Sequence, residues 1–254
     1  MLSLLRNLRR HELHRRSGRY FLYAFGEIVL IVVGIMIALQ INAWNQNQTN
    51  LELERNFLHR FQLDLEEDLA TFREQAEIGR EGIEAIKDAV ALMHEENVED
   101  DFYKLNELYD LAHLDSFNPQ YSTFHELEST GQLSLIRDEA LLLAIQKHYA
   151  YYSRIEVEFD HLYVWRKNVT NTFDSETSAL KYTNWNKAIF PPEIRSDKDW
   201  EFLNSPDHRE FKITETALAA TSFWITWHLG DYEEIIDKTE KLKKRISEAL
   251  GRPN

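Results

Sequence analysis

Tyr20 to Ile41 reads YFLYAFGEIVLIVVGIMIALQI, 22 residues with no Lys, Arg, Asp, Asn or Pro and a single acid, Glu27. At about 1.5 Å per residue, a helix of this length reaches about 33 Å, enough to cross the roughly 30 Å hydrocarbon core of a bilayer. Its flanks are unequal. Arg6, Arg9, Arg10, Arg15, Arg16 and Arg19 precede it, offset only by Glu12, whereas Asn42 to Glu54 carries no basic residue. That asymmetry predicts a cytoplasmic N-terminus and a body on the far side of the membrane. Arg15, Arg16, Arg19, Tyr20 and Tyr23 at one end and Trp44 at the other suit the two headgroup belts. A cleaved signal peptide would have a shorter apolar region ending at a small-x-small site. This run instead continues into Gln40-Ile41-Asn42-Ala43-Trp44-Asn45, so an uncleaved signal anchor is expected.

Three segments follow: a basic N-terminal segment (1–19), the transmembrane helix (20–41) and an acidic extracytoplasmic domain (42–254). In the first, Met1, Leu4, Leu5 and Leu8 share one helical face opposite arginines, and Ser17-Gly18 offers a break. Two readings stay open for it: a basic amphipathic helix on an anionic leaflet, or a tail that only sets topology. The chain carries a net charge of −14, of which residues 1–19 hold +5 and Glu27 −1, so residues 42–254 carry −18. Nucleic acid and anionic lipid are poor partners for so acidic a body. The absence of Cys excludes disulfides, thiolate metal sites, Cys nucleophiles and a lipoprotein anchor.

With only 8 Gly and 5 Pro, and long periodic stretches, the body reads as all-α, an antiparallel bundle of long helices. Leu51, Leu58, Leu65, Phe72, Ile86 and Met93 share a seven-residue register, flanked by Phe61, Leu69, Ile83 and Val90. They predict one amphipathic helix over 50–96, continuous with the membrane helix if Asn45 to Gln48 stay helical and weakened or bent at Gly79 and Gly82. The run from His94 to Asp101 lacks the alternating acids and glycine of a calcium loop and reads as a solvated turn. A second helix is expected over 102–114. Thr123 and Glu126 have capping-box spacing, and Gly131 sits where a left-handed C-cap belongs. Asp138 should cap a helix reaching Asp174. Periodicity fails from Ala179 to Ser205, where Trp185, Phe190, Trp200 and Phe202 suggest a segment folded back onto the helices, either as a packed loop or as a lid over a ligand crevice. Ser205-Pro206 should open a last helix to Leu250, bending at Gly230. Its apolar patch 217–229 is too short to span and reads as core.

Two motifs point to a family. Tyr23 to Asn45 follows Y-x-x-G-E-I-x-L-x-x-x-G-I-x-I-A-L-Q-I-N-x-W-N, and Thr123, Leu127, Ser129, Gly131, Leu133, Leu135, Ile136 and Asp138 follow a second pattern. Together they resemble an uncharacterised family of bacterial single-pass membrane proteins met especially among Bacteroidota. The resemblance implies topology and class. It supplies no catalytic residue.

On the membrane helix, Glu27, Ile31, Gly34 and Ala38 lie on one side. Two small residues four apart allow close helix–helix approach, and an acid at that depth needs protein, water or a cation beside it. This face is the expected association surface, for a homo-oligomer or another membrane protein. Alternatively, Glu27 is protonated or snorkels to the interface, or it serves ion movement. Glu158 and His161 match the E-x-x-H of di-iron bundles, but such a site needs two pairs and further carboxylates, so no metal and no cofactor is expected. There is no G-x-S-x-G, Gly-rich phosphate loop or thiol. The sequence thus points away from an enzyme and towards a membrane-anchored scaffold or accessory subunit, with a ligand sensor as the alternative and a helical metalloprotein third.

Overall fold

A computed structural model describes the backbone of residues 2–94, 101–183, 186, 188–191, 194, 196, 199 and 201–251, with side chains from Leu22 onward except those of 101–103 and Tyr182. Among these residues it is all-α: α1 (Leu2–Met93), α2 (Asp101–Leu111), α3 (Ser122–Ser129), α4 (Glu139–Glu176), α5 (Ala179–Tyr182) and α6 (Arg209–Leu250), with 3-10 turns at Gln132–Leu135 and Glu201–Asn204. The chain divides into two compact units, Met1–Asn56 and Phe57–Asn254.

The first unit is helical from Leu2, and neither Ser17-Gly18 nor Asn45 to Gln48 interrupts it. The Thr49 hydroxyl donates back to the Asn45 carbonyl at 3.1 Å. Every side chain from Leu22 to Asn50 is exposed.

The second unit is built on three long helices. On α1, Leu58, Leu65, Phe72, Ile86 and Met93 are buried as the seven-residue register predicts, together with Phe61 and Leu69, while Val90 faces out. The pairings Gln62 to Ser247, Arg73 to Glu240 and Arg80 to Glu233 run in opposite numerical directions, so α1 and α6 are antiparallel. The same holds for α4 and α6, through Ala140 to Arg245, His148 to Thr239, Glu158 to Trp227 and Glu176 to Arg209. Helices α1 and α4 therefore run parallel, which the expected antiparallel bundle did not include. Two parallel helices cannot be joined by a short turn. The chain returns along α1 instead, as a strap of α2, the irregular residues 113–121 and α3. Asp115 meets Gln75, Gln120 meets Asp68, Thr123 meets Asp64 and Glu126 meets Arg60, in descending order along α1.

The strap explains the first two of three departures from the local signals. Gly79 and Gly82 do not interrupt α1. A Cβ at Gly82 would lie 3.2 Å from Ile225 Cδ1 and 3.4 Å from the Ala112 backbone, and one at Gly79 would lie 3.4 Å from Leu114 Cδ2. The glycines let α6 and the strap approach α1. The capping box at Thr123 does not form: α3 begins at Ser122 without a side-chain cap, because Asp64 takes the Thr123 N–H and Arg60 takes Glu126 at 2.5 Å. The third is the start of α6, which comes at Arg209 rather than after Ser205-Pro206, and it continues through Gly230 without interruption. Other signals hold. Gly131 is left-handed at φ 68°, and Asp138 caps α4 by accepting from the Leu141 N–H at 3.1 Å. On α6, Ala217, Leu218, Trp224 and Ile225 are core, but Phe223 and Trp227 are about half exposed, so the 217–229 patch is core on one side only.

The glycines give a paired expectation. Gly82→Leu overpacks the α1–strap contact and should lower stability by about 1–3 kcal/mol. Gly230→Ala adds a methyl where nothing lies within 4 Å and should raise it by about 0.5–1 kcal/mol. Thermal unfolding of the detergent-solubilised chain measures both; a neutral Gly82→Leu contradicts the packing account.

Candidate functional site

The residues singled out from sequence fall into separate places. Glu27, Ile31, Gly34 and Ala38 all lie in the exposed stretch of α1, and no atom comes within 4 Å of a Cβ built on Gly34. Tyr23 and Trp44 are exposed at either end of this stretch. Arg15, Arg16, Arg19 and Tyr20 are on helical backbone, but their side chains lie outside the described residues, as do Trp185, Trp200 and the acidic residues 95–100. In the segment after α5, Phe202 is buried and Phe190 half-buried. Beside Phe202 is a crevice of about 540 Å³ lined by Glu176, Ser178, Asp199, Glu201 and His208, among others. Two of its carboxylates are already engaged: Glu176 with Arg209, Asp199 with Lys181 and Ser178.

The E-x-x-H pair does not converge on anything. Glu158 accepts from Trp227 Nε1 at 3.1 Å and lies 3.8 Å from Arg154, while His161 is exposed. Among the described residues, no group of three or more His, Asp or Glu is arranged to hold a metal ion.

What the sequence did not signal is a polar cluster inside the bundle. Asp68 on α1 is 2% exposed, yet it accepts from the Gln120 N–H at 2.8 Å and the Tyr152 hydroxyl at 2.8 Å. Tyr152 lies 3.4 Å from the Thr239 hydroxyl, which in turn is 3.5 Å from His148 Nε2. The cluster thus ties the strap to all three long helices. Burial pushes the Asp68 carboxyl up to about 6, against the two hydrogen bonds that favour its charge. Burial, helped by the Lys238 charge, pushes His148 down to about 4. A second buried histidine, His228, pairs Nδ1 with Asp231 at 3.1 Å and stacks on Phe159 at 3.5 Å between centroids. Asp68 and Asp64 are one helical turn apart beside the apolar stripe, and that spacing was the one hint available. These groups face protein rather than a cavity, so their chemistry is that of holding the bundle together.

The features above define an all-α protein with a helical body and one helix long and apolar enough to cross a membrane. Residues 27–185 match a family of unknown function (DUF6090), more than half of the chain, and the protein belongs to that family. The match takes in α1 from Glu27 through α5 and leaves α6 outside. No curated protein and no solved structure matches.

The two titrating groups of the cluster act in opposite directions. Asp68 has a higher pKa folded, about 6, than its ordinary value of about 4. The folded state is penalised while it is charged, so its contribution improves as pH falls through 6 and levels off below 4. His148 has a lower pKa folded, about 4, than its ordinary 6.5. The folded state keeps it neutral, so its contribution is lost as pH falls from 6.5 to 4. In Asp68→Asn the melting temperature should therefore fall more steeply than wild type between pH 6.5 and 4, and in His148→Gln less steeply. Identical slopes in all three proteins contradict this assignment.

Proposed function

We propose that the protein is a membrane-anchored helical scaffold, self-associating or acting as an accessory subunit of a membrane complex, and not an enzyme. Its N-terminus lies in the cytoplasm and its acidic body in the periplasm of a bacterial inner membrane. The observation that carries this reading is the run from Leu22 to Ile41, apolar apart from Glu27 and Gln40 and exposed throughout. Burying that surface in lipid is worth far more than leaving it in water, at roughly 25 cal/mol per Å². The arginines ahead of it supply orientation. Within the span, Gly34 and Ala38 leave a shallow face on which a second helix can lie close, and Glu27 sits on the same side, where a partner's polar group can satisfy it.

A ligand sensor is the second reading, favoured by the polar crevice next to Phe202. A ligand there must compete with the Glu176–Arg209 and Asp199–Lys181 pairs.

Gly34→Leu fills the small-residue face without removing a polar group. The wild-type chain is expected to run as an oligomer in mild detergent and in lipid nanodiscs, and Gly34→Leu as a smaller species. An unchanged size contradicts the association face. In the same preparations, a co-purifying protein supports the accessory-subunit form, whereas a tightly bound small molecule found by native mass spectrometry supports the sensor.

A further inference from the structure

The outward side of α4 and α6 departs from the rest of the body in composition. Residues 216–230 of α6 contain no Asp, Glu, Lys or Arg, in a chain whose charged content is 28%. This is not explained by burial, because Thr216, Ala219, Phe223, Thr226, Trp227 and Gly230 are all exposed. On α4, Val157, His161, Val164, Trp165 and Asn168 are likewise exposed and free of Asp, Glu, Lys and Arg. The two helices bring their rings together: Trp165 lies 5.4 Å from Phe223, and Phe223 lies 5.8 Å from Trp227. These three aromatics are 43%, 47% and 46% exposed, and Val157 and Val164 are 55% and 56% exposed. Scattered exposed apolar residues need no explanation, but a contiguous aromatic patch, bordered at Trp227 by the mutually cancelling charges of Glu158 and Arg154, has the composition of an interface core.

We propose that this α4–α6 face is a docking surface for a second copy of the same chain, related by a two-fold axis. Charge identifies the occupant. Each body carries −18 over residues 42–254, so two copies repel along most approaches. Across this patch, where the charges of Glu158 and Arg154 cancel, two copies meet with the least repulsion. A basic partner, by contrast, gains nothing on this face and everything on the acidic ones. The patch is self-complementary, since flat rings stack on rings in offset or edge-on geometry, and a two-fold contact needs one surface that fits itself. Size fits a weak pair. At 150–250 Å² per full aromatic side chain, the three half-open rings offer about 300 Å² per copy. With the valines and rim included, the pair covers on the order of 1,000 Å² in total, the lower limit for a specific interface. Such a contact suffices where copies are held at high effective concentration. In this respect the inference rests on the reading of the protein as a membrane-anchored oligomer.

The chain has no cysteine, so a single introduced thiol is an unambiguous probe. Full-length Thr226→Cys, Glu248→Cys and Ala38→Cys proteins are treated in membranes with a short bismaleimide. Thr226→Cys is expected to give a crosslinked dimer of twice the chain mass, and Glu248→Cys, at the far end of α6, at least tenfold less. Adding Ala219→Glu, which places like charges on both copies at an exposed position without removing packing, should lower the Thr226→Cys dimer at least tenfold while leaving the melting temperature unchanged. Phe223→Glu is the second disrupting variant and should do the same. The proposal is overturned if Thr226→Cys gives no dimer, if Glu248→Cys crosslinks equally, if both disrupting variants crosslink like the parent, or if the product at Thr226 contains a different protein. Ala38→Cys separates the two readings. A dimer there without one at Thr226 leaves the membrane face standing and sinks this surface; the reverse sinks the membrane face alone.

Discussion

The architecture of the body depends on two carboxylates of α1. Because α1 and α4 run parallel, the chain between them must travel the length of the bundle, and residues 113–121 of that return are irregular. Such a segment, and the first turn of the helix after it, have backbone donors with no helical partner, and leaving them unsatisfied costs about 1–3 kcal/mol each. Asp68 takes the Gln120 N–H and Asp64 the Thr123 N–H, with Gln75 taking the Asp115 N–H further along. The buried acid is therefore not an anomaly within an apolar stripe. It is the fastening that allows a strap to lie where a fourth helix would otherwise be needed. Tyr152 transmits the same tie to α4, where its ring also packs edge-on against Phe72 and Phe117.

Glycine placement belongs to the same constraint. A strap cannot approach α1 closely where side chains stand in the way, and Gly82 removes the obstruction where the chain passes Ala112. Helix propensity disfavours Gly in such a position by about 1 kcal/mol, and the gain in contact offsets it. Local structure here is subordinate to what packs on it.

That ordering explains which parts of the fold could be read from the chain. The seven-residue register of α1 and the Asp138 cap were legible because each rests on neighbours close in sequence. Gly131 was legible for the same reason, since its left-handed φ is a local demand. Thr123 and Glu126 had the right spacing for a capping box, but partners some sixty residues away, Asp64 and Arg60, took both groups. Parallel α1 and α4 were illegible because periodicity gives a helix's inward face and not its direction. As for the candidate site, the apolar run could be read directly, being a matter of composition. The exposed rings of α6 were hidden inside a run that looks uniformly apolar, and only the placement of α4 separates Trp224, which is buried, from Phe223 and Trp227, which are not.

Membership in a family of unknown function brings no assigned chemistry, so function has to be argued from surfaces. Two surfaces stand out: an exposed apolar helix with a small-residue face, and an aromatic face of balanced charge on an acidic body. Both suit contact rather than catalysis. The central claim is that a single anchor carries the helical body across the membrane, and reporters at the C-terminus test it most directly. Fused after Asn254, alkaline phosphatase, which folds only outside the cytoplasm, should be active, and a fluorescent protein that matures only in the cytosol should be dark. A dark phosphatase with a bright fluorescent fusion, or a chain that stays in solution without detergent or lipid, contradicts the account.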